Sequence, residues 1–284
     1  PEKEIGEMMR RVISHEIGHA LGLPHNMKAS SAYAVDSLRS GKFTQKMGIA
    51  TTIMDYARYN YVAQPGDENI RFVRQLGPYD DYAIEWGYRY FGSKTIEEET
   101  NELKHFVDSK SLDPIYMFGG RGNDPNSQTE NIGNDPVKAS NYGIKNLKIV
   151  AENLPEWTLS NNSNYDDLEE LYGEMISVYR RYIYHVHTIV GGVNETLHNN
   201  NQEEVYTYIN TPRAEQLRAL KFLNQELWDT PYWLIEESLI SNFKNEGSLQ
   251  LIQNLQRSAL NRFLSKRLLN RILSTSQTLV GTSL

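Results

Sequence analysis

The chain has 284 residues, of which 39% are hydrophobic and 23% charged, so it can bury a core and is not of a disordered type. Its net charge is -7, with acidic and basic residues mixed along the chain, which argues against a nucleic-acid-binding surface. It has no cysteine, so disulfides, cysteine metal ligands and a cysteine nucleophile are excluded. There is no signal peptide, and no apolar run approaches the ~18 residues that cross a bilayer.

Apolar residues recur at three- and four-residue spacing near the start of the chain, which predicts a helix with a buried stripe. The stripe comprises Ile5, Met8, Met9, Val12, Ile13, Ile17, Ala20 and Leu21. Gly22 and Pro24 end this helix. Residues 26–50 are polar and predict a loop region, whereas TTIMDYARYNY (51–61) predicts a second ordered piece.

The rest of the chain is predicted to be mainly helical. Helices are expected over 78–91 and 95–108, and residues 111–135, rich in Gly, Asn, Asp and Pro, predict a linker or long surface loop. Residues 193–209 predict a small β-hairpin around an Asn-rich turn at 199–201. The other predicted helices cover 136–153, 165–190, 213–228, 231–244 and 247–275.

The stretch HEIGHALGLPHN (15–26) concentrates metal-binding chemistry at the end of the first helix. His15 and His19 are four residues apart, so both imidazoles project from one helical face and can share an ion. Gly22 can turn the chain sharply, which allows His25 to fold back towards that ion. Glu16 is placed to reach a water on the ion. The alternative is a helix with surface histidines and no metal, but the full HExxHxxGxxH spacing favours zinc.

This stretch resembles the signature of the metzincin metalloproteases, which is followed by a methionine turn. TIMDY (52–56) is similar to that turn, with Met54 packing beneath the histidines and Tyr56 as a zinc ligand or as a donor to the tetrahedral intermediate. LGPYDDYAIEWGY (76–88) resembles the helix that follows in the family, where Asp80 anchors the floor of the site. The whole chain is most similar to a bacterial Met-zincin family with uncharacterised flanking domains, which shares His25-Asn26 and segments like DPVKASNYGIKNLK (135–148).

The resemblance implies a zinc-dependent endopeptidase that acts on a peptide or protein substrate. His15, His19 and His25 would hold Zn²⁺, Glu16 would be the general base, and Gly22, Met54 and Asp80 would support the site. It also implies the fold: a metzincin lower (C-terminal) subdomain followed by an all-helical region. Residues 1–110 would carry the zinc-binding helix, the Met-turn and the next helices, 111–135 a linker, and 136–284 a helical C-terminal domain.

Two other functions stay open at this point. One is a zinc-binding pseudoenzyme or helical interaction module without turnover. The other is a gluzincin-type peptidase, in which a downstream glutamate replaces His25 as the third ligand. Two further patterns predict no site: His185 and His187 point about 200° apart on a helix and are expected to be structural, and the oxygen-rich loop 123–135 lacks an EF-hand pattern and is expected to be solvated.

The chain opens on Pro1 rather than Met, so we expect it to belong to a longer gene product. In metzincins a sheet-bearing subdomain precedes the zinc helix, and here only fourteen residues precede His15. We therefore expect an incomplete catalytic fragment with weak zinc occupancy and little peptidase activity. The apolar surface near residues 5–21 would lack part of its cover, and a second copy of the chain is the candidate to supply it. The resemblance also favours an exported protein: periplasmic, cell-surface or secreted.

Overall fold

The computed structural model describes residues 2–120, 122–158, 164–199, 202, 206–244 and 248–278. It is mainly helical, with one small two-stranded antiparallel sheet within these residues, as the sequence predicts. None of the described helices is long and apolar enough to cross a membrane. The chain divides into two compact units, residues 1–139 with 193–209 and residues 140–192 with 210–284.

The first unit is built from short helices joined by long, well-packed loops. Its helices are α1 (Glu2–Ala20), α2 (Gly41–Met47), α3 (Pro78–Tyr88) and α4 (Ile96–Asp108). Thr95 begins α4 with a capping box, since its hydroxyl accepts from the Glu98 N–H while the Glu98 carboxylate accepts from the Thr95 N–H. The predicted helices 78–91 and 95–108 are therefore present, and the first ends three residues early. Strands β1 (Val193–Glu195) and β2 (Tyr208–Asn210) form the predicted hairpin, whose turn residues 200 and 201 lie outside the described residues.

The apolar stripe of α1 is exposed. The side chains of Ile5, Met8, Met9, Val12, Ile13, Ile17 and Leu21 are each between 42% and 59% accessible. Only His15 and Gly18 of this helix are buried. The prediction of a buried stripe is thus wrong for this chain, whereas the expectation that apolar surface near residues 5–21 lacks cover agrees with these exposures. The residues that α1 buries belong to the histidine motif instead.

Two segments without strong helical patterns form much of the interior of the first unit. Residues 26–50, predicted to be a polar loop region, contain α2 and bury Leu38 and Ile49 completely. Residues 111–135, predicted to be a linker or surface loop, are largely irregular but bury Ile132 completely. In the same segment the carboxylate of Asp124 lies 2.7 Å from the buried ammonium of Lys28. The oxygen-rich loop 123–135, which the sequence predicts to be solvated, is thus partly buried, and Asp124 in it is neutralised by Lys28.

The second unit is a group of packed helices. They are α5 (Pro136–Thr158, whose first residues lie in the first unit), α6 (Asp166–His187), α7 (Arg213–Leu223), α8 (Glu237–Ile240), α9 (Ser248–Phe263) and α10 (Lys266–Thr278). The predicted helical stretch 213–228 is present, and its last five residues, from Asn224, form a π-helix. Two other predicted helices are wrong: the stretch 231–244 contains only short turns and α8, and 247–275 is broken at 264–265.

Helix α6 carries the histidine pair of the HVH sequence into the interior of the second unit. His185 is fully buried and His187 is 8% exposed. The ring of His187 lies 4.1 Å from the ring of Phe263, centroid to centroid. Burial, together with the nearby positive charges of Arg262 and Arg271, lowers the pKa of His187 to about 4, so this imidazole is neutral in the folded state at neutral pH.

We expect the His187→Gln variant to lose less stability in mild acid than the parent chain. A histidine with an unfolded pKa of about 6.5 and a folded pKa of about 4 binds its proton more readily when unfolded. His187 therefore leaves the free energy of unfolding undiminished above pH ~6.5. As the pH falls from there towards ~4, protonation of the unfolded chain lowers the free energy of unfolding by about 3 kcal/mol. Urea unfolding at about pH 7.5 and pH 4.5 measures this difference. His105→Gln changes an exposed histidine and serves as the control; an unchanged pH slope in His187→Gln would contradict the prediction.

Candidate metal centre

Three imidazoles meet at the end of α1. The Nε2 atom of His25 lies 3.2 Å from Nε2 of His15 and 2.9 Å from Nε2 of His19. In a tetrahedral zinc site with Zn–N bonds of ~2.0–2.1 Å, neighbouring nitrogens are about 3.3–3.4 Å apart. The observed spacing is therefore close to that of a zinc site. It also favours His25, rather than a downstream glutamate, as the third ligand.

The hydrogen bonds made by Nδ1 of His15 and of His19 show which ring nitrogen of each faces the centre. His15 donates from Nδ1 to the carbonyl oxygen of Ile53 at 2.8 Å, and His19 donates from Nδ1 to that of Leu23 at 2.9 Å. Both Nε2 atoms are then bare acceptors. Nε2 of His25 carries at most one hydrogen, which can satisfy only one of them. A cation held between the three nitrogens resolves this conflict, so the donor set fits Zn²⁺.

Gly22 reverses the chain between the second and third histidines. Its φ is +84°, in the left-handed region that residues with a Cβ disfavour. The Gly22 N–H donates to the His19 carbonyl at 2.9 Å, and the Leu23 N–H donates to the Gly18 carbonyl at 3.0 Å, which together form a Schellman motif. This turn ends α1 and carries the next three residues back beneath the helix, where His25 reaches the other two imidazoles.

The turn containing Met54 packs directly under this helix. Met54 is 1% exposed, and a Cβ added to Gly18 would lie 2.3 Å from its Sδ atom. Gly18 stands between His15 and His19 in sequence, so the thioether lies against the backbone that carries both ligands. The Asn26 N–H also donates to the Met54 carbonyl at 3.3 Å, which ties the turn to the residue after His25. No sequence rule singled out Gly18, although its position within the motif was visible.

Asp80 holds that turn against the start of α3. Its carboxylate accepts from the backbone N–H groups of Ile53 at 2.9 Å and Gly77 at 2.8 Å, and also from the hydroxyl of Thr52. Burial raises the pKa of Asp80, while these hydrogen bonds favour the charged form. Ile53 thus binds Asp80 through its backbone N–H and His15 through its carbonyl oxygen.

Arg74 is a site residue that the sequence did not reveal. This arginine is 6% exposed, and its Nη1 donates to the Ile53 carbonyl at 2.6 Å, the oxygen that also accepts from His15. Burial lowers the pKa of Arg74 to about 10, and the charge of buried Asp55 opposes that shift. Arg74 lies in an irregular stretch with no motif, so only the fold brings it to the centre.

Tyr56 and Glu16 lie on the accessible side of the centre. The ring of Tyr56 is 4.3 Å from that of His25 and 5.7 Å from that of His15, centroid to centroid. It is partly exposed, and Glu16 is exposed on α1 next to His15. Burial lowers the pKa of His15, which keeps that ring neutral and competent as a ligand. The three histidines, Tyr56 and Met54 are thus gathered at one place, with Asp80 one hydrogen bond away from the Met54 turn.

Within the described residues, this is the group of three histidine or carboxylate side chains that could hold a metal ion. A helical fold with such a triad above a buried methionine defines a zinc-metallopeptidase-like protein. A family model described as Met-zincin matches residues 1–282, and the chain belongs to that family. Comparisons with curated proteins and with solved structures gave no significant match.

We expect Gly18→Ala to weaken zinc binding about tenfold or more. The new methyl group would overlap Met54 Sδ, and because Met54 is almost fully buried, either the thioether or the ligand-bearing helix must move. Zinc affinity measured by competition with a chromophoric chelator reports the change. Gly6→Ala, on the same helix, is the matched control, since a Cβ at that position would have no neighbour within 4 Å. Equal zinc affinities in the two variants would show that the Met54 contact does not position the ligands.

Arg74→Met is expected to lower zinc affinity by roughly 10- to 100-fold, the usual effect of losing a group that orients a ligand. The Ile53 carbonyl would lose one of its two donors and the peptide could rotate away from His15. Arg74→Lys keeps the charge and should recover part of the loss. Arg39→Met, which breaks a pair with Asp67 (2.7–2.8 Å), is the control for general destabilisation. If Arg39→Met weakens zinc binding as much as Arg74→Met does, Arg74 has only a general structural role.

Proposed function

We propose that this chain carries the zinc site of an endopeptidase, with His15, His19 and His25 as ligands and Glu16 as the general base. The observation that supports it most directly is that Nε2 of His25 lies 2.9 Å from Nε2 of His19 and 3.2 Å from Nε2 of His15, while Nδ1 of His15 and of His19 is bound to backbone carbonyls. Membership of the Met-zincin family supports a zinc metalloprotease in general terms.

In this mechanism some residues bind the metal and others act on water and the substrate. Bound by these imidazoles, Zn²⁺ supplies Lewis acidity that polarises a scissile carbonyl and acidifies water. Glu16 accepts the proton of the attacking water and passes it to the leaving amine. The hydroxyl of Tyr56 donates to the oxyanion that develops on the substrate. His15 stays neutral and oriented through the Ile53 carbonyl, so its Nε2 lone pair faces the centre.

Support for this division of roles comes from exposure. Glu16 is accessible on α1, whereas its neighbour His15 is buried, so a substrate can reach the carboxylate without displacing the ligand. Tyr56 is partly exposed and its ring lies against two of the ligands. The buried groups Met54, Asp80 and Arg74 support the ligands from the interior and are given no part in proton transfer.

The test is Glu16→Gln in the full-length protein, with zinc content measured beside peptide cleavage. A glutamine of the same size cannot take the proton, so cleavage of an unbiased peptide mixture should fall by ~10²–10⁴-fold while one zinc per chain is retained. Glu4→Gln, an exposed glutamate on the same helix, should change neither property. His25→Ala should remove the metal.

Two outcomes would overturn the proposal. Undiminished cleavage by zinc-loaded Glu16→Gln would remove Glu16 from the mechanism. Stoichiometric zinc in the parent protein, with no peptide cleaved, would favour a zinc-binding module without turnover.

A further inference from the structure

A cavity of about 320 Å³ lies in the first unit, formed by residues outside the histidine motif. This volume is at the lower end of the range for sites that bind small molecules or single side chains. Most of its wall is apolar or aromatic. The residues that set its character are Tyr79, Tyr82, Val107, Tyr116, Phe118 and Leu197.

The first wall of the cavity is attached to the methionine turn. Tyr79 and Tyr82 belong to α3, whose first residues are fixed to residues 51–53. The Tyr79 N–H donates to the Thr51 carbonyl at 2.9 Å, and the Asp80 carboxylate accepts from the Ile53 N–H at 2.9 Å. Any shift of the turn beneath the ligands is therefore transmitted to these two rings.

The second wall is attached to the residue that follows the third histidine. Asn26 is fully buried, and its side-chain amide donates to the Met117 carbonyl at 2.9 Å. Its amide oxygen accepts from the Gly119 N–H at 3.0 Å. Tyr116 and Phe118 alternate with these anchored residues, so this wall is held next to the chain that carries His25.

The third wall begins at β1 and is anchored through a buried ion pair. The ammonium of Lys28 binds Asp124 at 2.7 Å and also donates to the Glu195 carbonyl. The Glu195 N–H donates to the same Asp124 carboxylate at 3.1 Å. Leu197 follows within two residues and lines the cavity. All three walls thus depend on residues within about three positions of His25 or Met54.

The charges around the cavity select among occupants. Glu195 lines it and disfavours an acidic group by like-charge repulsion. The ammonium of Lys110 already lies 4.9 Å from the ring centroid of Tyr116 and 5.8 Å from that of Tyr82, so a second cation on these rings would be repelled. Nδ1 of His198 lies 3.1 Å from the Asn199 carbonyl oxygen and Nε2 lies 3.1 Å from the Thr207 hydroxyl, so neither ring nitrogen needs a polar ligand.

We propose that this cavity binds a large apolar or aromatic side chain of the peptide substrate. The inference rests on the proposed peptidase function for its place in catalysis, but binding by the cavity can be measured without turnover. Ring faces contribute most of the contact, because aromatic side chains pack favourably against tyrosine and phenylalanine at 4.5–7 Å between centroids.

The experiment uses the zinc-loaded chain carrying Glu16→Gln, so that no ligand is consumed. The probes are N-acetyl-phenylalanine amide, N-acetyl-lysine amide and N-acetyl-glutamate amide, compared by ligand-observed NMR titration. Val107→Phe fills the cavity, and Leu197→Glu adds a second negative charge at a half-exposed position that tolerates substitution. Ile96→Phe, on the same helix as Val107, and Leu76→Glu are the matched controls at exposed sites outside the cavity.

We expect the phenylalanine probe to bind most tightly and to lose about tenfold in affinity in Val107→Phe and Leu197→Glu but not in the controls. If Val107→Phe fails to fold, Leu197→Glu alone decides. Equal binding of the three probes, or losses no greater than in the controls, overturns the inference even if peptides are cleaved. The protein could also bind the phenylalanine probe selectively, lose that binding in the cavity variants and yet cleave no peptide. That result supports side-chain binding by the cavity and contradicts only the proposed peptidase function.

Discussion

One residue, Ile53, joins the parts on which the metal centre depends. Its carbonyl oxygen accepts from Nδ1 of His15 and from Nη1 of Arg74, and its N–H donates to Asp80. The ligand helix, the methionine turn, α3 and an irregular stretch around Arg74 therefore converge on the backbone of a single residue. Because buried hydrogen bonds to charged groups are costly to leave unmade, a displacement of any one part strains the other three.

This arrangement explains why the first unit can keep a defined site with little regular structure around it. The loops 26–50 and 111–135 bury polar side chains, and the buried groups discussed above are matched to specific partners. Asn26 satisfies both ends of its amide, and Lys28 is paired with Asp124. Such matched polar contacts fix the positions of irregular chain more narrowly than apolar packing alone does. The same contacts anchor the walls of the aromatic cavity, so the metal ligands and the cavity share one framework.

The sequence predicted what local spacing controls. The HExxHxxGxxH motif predicts the ligand face of α1 and the reversal at Gly22, and the helices predicted over 78–91 and 95–108 correspond to α3 and α4. Spacing could not reveal Arg74 or the Gly18–Met54 contact, since both depend on chain segments distant in sequence. The periodicity of α1 predicts an apolar face but not whether that face is covered; the exposed stripe agrees instead with the expectation that apolar surface near residues 5–21 lacks cover. The composition of residues 111–135 predicts a linker or surface loop, because composition does not distinguish a solvated loop from a buried one.

A position can require glycine because a side chain has no room or because the backbone φ is positive, and only the second reason applies to Gly22. No atom lies within 4 Å of the place its Cβ would occupy, so the position has ample volume for a side chain. Its φ of +84° is what excludes one, because L residues pay roughly 1–2 kcal/mol there. The constraint on this position is therefore one of chirality: a D-alanine would adopt this φ readily, whereas the Cβ of an L-alanine would crowd its own backbone carbonyl in the turn that carries His25 to the other two histidines. Handedness at a single residue, rather than packing, governs the closure of the triad.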